Sequence, residues 1–471
     1  MDKSQKFKKL SLNMLLFSIS GFGSKIISFL LVPLYTYMLS TEQYGNLDLM
    51  STTAQLMIPI LTLNIQDAVL RFALDKEYDN KKIINVALKI FGVGSVIMLG
   101  AVVLFDKLRL FSLDSTYFWY LFALYLTSSL YNILSMYLRT VDKIKLLVIC
   151  GLLNTLITCS LNILFLLVLK LGVVGFMCAN VAGSFVAIVL MFSFGGILKT
   201  FGQKETLSLF IKMASYSLPL VANSLAWWVN NASDRYILTF FCGATINGVY
   251  AVSYKIPTIL STIQGFFSSS WSISAITEFD KDDKDGFLGN VYTMYSCISF
   301  IGCSAIMIFN IYLAKILYSN DFYQAWQSVP FLLLSTVFNG LAHFEGSLFG
   351  AVKKTKAVSY TTFAGAAINT IMNFVLIPFI GAVGAAAATC LGYFATWIVR
   401  TIQMKRIVSL KVKWNYQIAC LSLLFLQSIV ATVYGKFYYQ VIFFVAVTFV
   451  LRKDITKVIS KIRRKAQKQK I

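Results

Sequence analysis

Fourteen apolar runs follow one another along this 471-residue chain, most of them near the ~20 residues a helix needs to cross a bilayer. They occupy roughly 11–38, 47–70, 83–105, 116–138, 146–169, 173–198, 213–241, 248–275, 291–317, 328–350, 357–380, 383–403, 415–434 and 437–451. Hydrocarbon offers no partner to a backbone N–H or C=O, so runs of this kind fold as helices that satisfy their own main chain. The expected class is an all-α membrane protein of about 14 transmembrane helices. Composition agrees: 58% of residues are hydrophobic and 13% charged, against about 25% charged in soluble domains. The loops are short, none much above 15 residues, which leaves no room for an extramembrane catalytic domain.

The charge pattern orients the chain. Lys and Arg crowd into alternate loops and into the tail RKDITKVISKIRRKAQKQK (452–470), and the intervening loops carry few. Positive charge is retained on the cytoplasmic side, so both termini are expected inside. The net charge of +22 is therefore a membrane-surface feature, and no nucleic acid partner is expected; the tail meets anionic membrane lipids. The first run follows MDKSQKFKK but is too long for the apolar core of a cleavable signal and lacks a small-residue cleavage site.

The chain repeats itself. SLNILFLLVLKLGVVGF in the fifth run corresponds to IMNFVLIPFIGAVGAA in the eleventh: Asn162 to Asn373, and Gly172 and Gly175 to Gly381 and Gly384 after a two-residue deletion. Lys143 and Lys145 in the preceding loop match Lys354 and Lys356. Six spans separate the copies, an even number, so both enter the membrane from the same side. The expected organisation is two parallel six-helix lobes, 1–200 and 201–406, around a central cavity, then two additional helices (407–452) and a basic cytoplasmic tail (453–471).

Enzyme chemistry has little to work with. The chain has one His, and its eight cysteines form no CxxC pair, so they read as small core hydrophobes. EFDKDDKDGF (278–287) lacks the closing Glu of a calcium loop and reads as a solvated loop. GxxxxGK[ST], HExxH and GxSxG are missing. The chain is read as a non-enzyme without cofactors.

Charges inside the spans carry the functional signal. Lys25 lies mid-run in SKIISFLLVPLYTYMLS, flanked by Gly21, Gly23, Ser24 and Ser28, with Pro33 set to bend the helix. An intramembrane charge costs roughly 3 kcal/mol, so it normally faces a wet cavity with something to bind. The seventh run, SYSLPLVANSLAWWVNNASDRYIL, is the most polar, and Pro219 allows a kink. Asn223, Trp227, Asn230, Asn231 and Asp234 fall along one expected helical face, with amides and an aromatic ring suited to sugars and the adjacent Arg235 suited to phosphate. Lys255 and Arg71 complete the substrate-binding candidates, with Asp67 expected to pair with Arg71 at i,i+4. Asp67, His343 and Glu345 are the candidates for coupling to H+ or Na+.

SKIISFLLVPLYTYMLSTEQYGNLDL (24–49) and SLPLVANSLAWWVNNASDRYILTFFCGATINGVYAVSYKI (217–256) resemble the lobe openings of bacterial polysaccharide flippases of the multidrug/oligosaccharidyl-lipid/polysaccharide exporter superfamily. The most specific parts are a Tyr44–Gly45 turn and the stretch from Asp234–Arg235 to Gly248–Val249–Tyr250. The resemblance implies alternating-access movement of undecaprenyl-diphosphate-linked oligosaccharide from the inner to the outer leaflet of the bacterial cytoplasmic membrane. It also implies a cationic cavity that includes Lys25 and Arg235, and a polysaccharide polymerase and chain-length regulator as partners. Tyr37 stands where the family often has a basic residue. The last two helices resemble a lipid II flippase, an alternative of the same class; a multidrug cation antiporter, which would favour carboxylates in its cavity, is the other.

Overall fold

The computed structural model describes residues 21–468 apart from 22, 76, 109–112, 201–206 and 353. The described residues are helical throughout, with no strand. Helix α1 (residues 23–30) gives way at Leu31 to α2 (Val32–Met38), whose first turn takes Pro33 where its missing N–H costs nothing. Ser40 then starts α3 (Thr41–Leu61): its hydroxyl accepts from the Gln43 N–H at 3.1 Å while Gln43 Oε1 accepts from the Ser40 N–H at 3.0 Å. This reciprocal cap places Tyr44 and Gly45 inside a helix, so the expected Tyr44–Gly45 turn lies instead at Leu39–Ser40.

Pro59 and the left-handed residues Leu63 and Asn64 end α3, and the chain bends by 55° into α4 (Ile65–Ala73). Helices α5 (Asn80–Leu108), α6 (Ser115–Thr140), α7 (Ile144–Ile163) and α8 (Gly172–Gly195) follow. Then come α9 (Leu207–Ser253), α10 (Pro257–Thr277), α11 (Phe287–Leu317), α12 (Val329–Ala351), α13 (Thr355–Met404), α14 (Trp414–Tyr434) and α15 (Phe437–Lys468). The break within α9 falls at Gly243 (φ 82°) and not at Pro219, and α13 is likewise two helices joined at Ile380–Gly381. With those breaks every expected run coincides with helix in its described part.

Eight helices among the described residues are long and apolar enough to cross a membrane, or nine with α3 and α4 taken as one bent span. The two broken helices each count once in that figure. Helix α12 falls short because Asn339, His343 and Glu345 dilute it, and α10 because it is rich in Ser and Thr. Large apolar side chains stand outward along these helices, among them Phe240 (80% exposed) and Phe379 (84%). Water would not tolerate so much exposed hydrocarbon, and lipid does. The protein is a multi-pass membrane protein.

Cα packing groups Met1–Val229 and Asn230–Ile471 into two compact units. The core of the first joins Ile65 and Val69 of α4, Ile83 and Ile84 of α5, Ile133 and Leu138 of α6, and Met191 of α8. In the second, Trp271 stacks on Phe344 with ring centroids 4.0 Å apart, and Tyr292 and Tyr295 pack against the same ring.

The internal repeat holds in detail. Asn162 and Asn373 are both fully buried, each donating one turn back, to Thr158 O and to Asn369 Oδ1. Gly172 and Gly381 both have positive φ (56° and 51°), a conformation that glycine alone adopts freely. A Cβ on Gly175 would stand 3.3 Å from Phe165 O, and one on Gly384 2.6 Å from Leu376 O; Phe165 and Leu376 are themselves equivalent. In the next contact Gly183 faces Asn154 and Thr158, and Gly392 faces Gly365 and Asn369, again equivalent pairs. The α7–α8 hairpin of one unit is thus repeated by the two halves of α13 in the other.

Candidate functional site

In the second unit five donors converge on one carboxylate. Asp234 is 2% exposed and sits on α9 one turn after the buried Asn230. Its Oδ2 accepts from the Tyr250 hydroxyl at 2.6 Å, the Tyr254 hydroxyl at 3.1 Å and Thr389 Oγ1 at 3.4 Å. Its Oδ1 accepts from the Arg235 backbone N–H at 2.9 Å and Arg235 Nη1 at 3.2 Å. The break at Gly243 makes this possible, because it turns the chain so that Tyr250 returns alongside Asp234.

Arg235 also donates through Nη1 to Asn231 O at 2.8 Å and lies 4.8 Å from the centre of the Tyr254 ring. Its guanidinium is therefore held by an ion pair, a carbonyl and an aromatic face. Arg235 is thus docked, and its side chain keeps 13% of its surface exposed. Tyr393 donates to Asn231 Oδ1 at 2.8 Å, and Asn369 Nδ2 donates to Asn230 O at 3.3 Å, tying both halves of α13 to α9.

The polar residues of the seventh run divide between two faces. Asn230 and Asp234, four apart, point into the second unit, whereas Asn223, Trp227 and Asn231, also four apart, are exposed. The single expected face splits because a helix advances 100° per residue, which separates positions 230 and 231. Within the first unit, Trp228 on the N-terminal part of α9 donates from Nε1 to Thr52 O on α3 at 2.8 Å. Lys255, in the turn before α10, is half-buried.

In the first unit Lys25 is exposed and makes no hydrogen bond or ion pair with a described residue. Its neighbour Ser24 fixes the helix by accepting from Thr155 Oγ1 at 2.9 Å, while Lys25, about 100° further round the helix, lies in an exposed stripe with Gly21 and Ser28. Arg71 is exposed at the end of α4. The expected Asp67–Arg71 pair is replaced by a shorter-range bond: Asn64, turned left-handed, donates from Nδ2 to Asp67 Oδ2 at 2.6 Å.

A second buried polar cluster lies between α11, α12 and α13. Glu345 is fully buried, its Oε1 accepting from Thr401 Oγ1 at 2.7 Å and the Tyr292 hydroxyl at 3.4 Å. Arg400, 4% exposed, donates to Ala342 O at 2.7 Å, Val358 O at 3.1 Å, and the hydroxyls of Thr361 and Thr362 at 3.0 Å each. His343, two residues from Glu345, is exposed. Sequence reasoning missed Arg400, because a cation near a span end reads as an anchor to the membrane surface.

The loop 278–286 also departs from its reading as solvated. Asp283 is fully buried and accepts from the N–H groups of Leu288 (2.9 Å), Gly289 (3.0 Å) and Lys411 (3.1 Å). It caps α11 and binds the α13–α14 linker at once. Asp280 at the surface accepts from the Lys284 and Asp282 amides, which hold its carboxyl below the ordinary range.

Helix length and outward-facing apolar side chains together define a multi-pass helical membrane protein. A lipid II flippase, MurJ, in an inward closed conformation matches with a TM-score of 0.70 at 15% identity, over 94% of this chain and 99% of that one. That coverage is more than residues 1–406 supply, so it takes in part of the last two helices. An inward-facing multidrug resistance MATE family transporter of the MOP superfamily matches with 0.63 at 13% identity over 84% and 97%. A MOP superfamily transporter from Pyrococcus furiosus matches with 0.53 at 13% identity over 84% and 95%. The fold is the one these transporters share. No curated protein sequence matches the chain. The polysaccharide biosynthesis protein family model matches residues 10–277, more than half of the sequence, and the chain belongs to that family.

Proposed function

We propose that the protein moves undecaprenyl-diphosphate-linked oligosaccharide repeat units from the inner to the outer leaflet of a bacterial cytoplasmic membrane. The observation that carries this reading is Lys25: a cation within the first apolar run, exposed, with no partner among the described residues. Leaving such a charge in hydrocarbon costs roughly 3 kcal/mol or more, a cost relieved by water and an anionic ligand. The diphosphate supplies the anion. Asn223 and Trp227, exposed on α9, offer an amide and an indole face to sugars, while Arg235 is preset by Asp234 and Tyr254. Alternating access would be driven by an H+ or Na+ gradient, with Asp67, His343 and Glu345 as the titratable groups to test.

A lipid II flippase is the second reading, favoured by the likeness to MurJ beyond residue 406. Both substrates present a polyprenyl diphosphate, so the sugar decides between them. The test is a deletion strain. Loss of surface polysaccharide with lipid-linked repeat units accumulating on the inner leaflet supports the proposal; arrest of peptidoglycan synthesis supports the second reading; an unaltered envelope refutes both.

A further inference from the structure

The second unit contains an apolar pocket of about 710 Å³ between α12, the second half of α13 and α14. This falls within the roughly 300–1,000 Å³ of ligand sites. Phe394, Ile402, Leu421 and Phe425 line it, and Lys405 and Trp414 close one end. That end is basic. Lys405, Arg406 and Lys413 are all exposed, the Lys405 ammonium lies 4.9 Å from the centre of the Trp414 ring, and that of Lys413 lies 5.7 Å from the centre of the Tyr416 ring. We propose that this pocket is a site for one anionic phospholipid, its headgroup held by Lys405 and Lys413 and an acyl chain seated among Phe394, Leu421 and Phe425.

Three observations converge on that occupant. The walls are hydrocarbon and ring faces, so what enters is an apolar chain. The cations stand at one end only, where α13 has finished and α14 begins, the level at which a headgroup meets a helix end. The rim is also fixed in place: Asp283 holds the Lys411 N–H at 3.1 Å, the Ser409 N–H donates to Lys281 O at 2.9 Å, and Lys411 Nζ donates to Lys284 O at 2.7 Å. A preorganised cationic rim over a shaped slot selects a lipid by charge, because an apolar chain gains little by leaving bulk lipid for the pocket. The proposal is independent of what the protein transports.

Native mass spectrometry of the full-length protein, equilibrated with equal phosphatidylglycerol and phosphatidylethanolamine, tests it. The wild type is expected to retain one phosphatidylglycerol in preference. Lys405→Glu should lower that retention about tenfold or more, since each basic residue beside an anionic headgroup contributes about fivefold. Leu421→Trp, which fills the slot and leaves the rim intact, should lower it as well. Equal retention of the two lipids by the wild type, or full retention by Lys405→Glu, would overturn the proposal. So would displacement of phosphatidylglycerol by equimolar undecaprenyl phosphate, which would make the pocket a seat for the transported lipid's tail. If Leu421→Trp does not fold, Lys405→Glu decides alone, since its side chain is exposed.

Discussion

Gly392→Ala adds one methyl group where the two halves of α13 touch. The new Cβ would stand 2.6 Å from Asn369 Cβ and 3.1 Å from Gly365 O. Carbon atoms rest at about 3.5–4.0 Å, so the helices must part by roughly 1 Å. Overpacking of this kind costs about 1–3 kcal/mol. The shift also draws Asn369 from Asn230 O, a bond already 3.3 Å long, for about 1 kcal/mol more. The helix propensity of Ala over Gly returns about 1 kcal/mol. The net loss is about 1–3 kcal/mol, or a fall in Tm of about 2–12 °C at roughly 2–4 °C per kcal/mol. Gly100→Ala on α5, where nothing lies within 4 Å, gains the propensity without the clash and should hold or raise Tm. Thermal unfolding in detergent, followed by tryptophan fluorescence, reads both. Equal Tm changes in the two variants would refute the close-approach argument.

Other outcomes follow from the buried polar groups. Asp234→Ala strips the partner from Arg235 and four other donors and should cost about 3–5 kcal/mol, whereas Tyr250→Phe, which removes one of the five, should cost about 1.5–3 kcal/mol; thermal unfolding that ranks them the other way contradicts the hub. Asp283→Ala should free the α13–α14 linker, seen as faster amide exchange at Ser409 and Lys411; unchanged exchange there would show that the carboxylate does not hold it. The Asp280 carboxyl, held low by the Lys284 and Asp282 amides, should titrate by carbon NMR below the ordinary 3.8. Because folding lowers this value, its contribution to loop order is complete above the ordinary value and lost only as pH falls through the lower one. A midpoint at or above 3.8 would remove those bonds from the account.

Much of this architecture is visible in the sequence because lipid enforces it. A span must be apolar over its whole length, so the runs that became α5 to α8 and both halves of α13 could be marked to within a few residues. The repeat was legible because the buried Asn162 and Asn373 and the close glycines recur wherever the same hairpin is built. Local capping was harder to see. Ser40 and Gln43 carry the signature of a helix start, but the neighbouring glycine drew the turn five residues too late. Pairing was hardest. Asp67 and Arg71 have ideal helical spacing, yet Asn64 reaches the carboxylate first because its backbone turns left-handed. The setting of Arg235 is hidden in the sequence because Tyr250 and Tyr254 come back to it only through the break at Gly243, and Arg400 reads as a surface anchor until α12 is packed against it. Tertiary packing, and not periodicity, decides which intramembrane charge stays available.

Lys25 is a charge that stays available among the described residues, and the central claim rests on it. The direct measurement uses purified protein in vesicles loaded with undecaprenyl-diphosphate-linked oligosaccharide bearing a fluorescent sugar, and follows arrival of the label at the opposite leaflet. The account predicts movement by the wild type, retained movement with Lys25→Arg, and loss with Lys25→Ala at unchanged Tm. Movement at the wild-type rate by Lys25→Ala would contradict it.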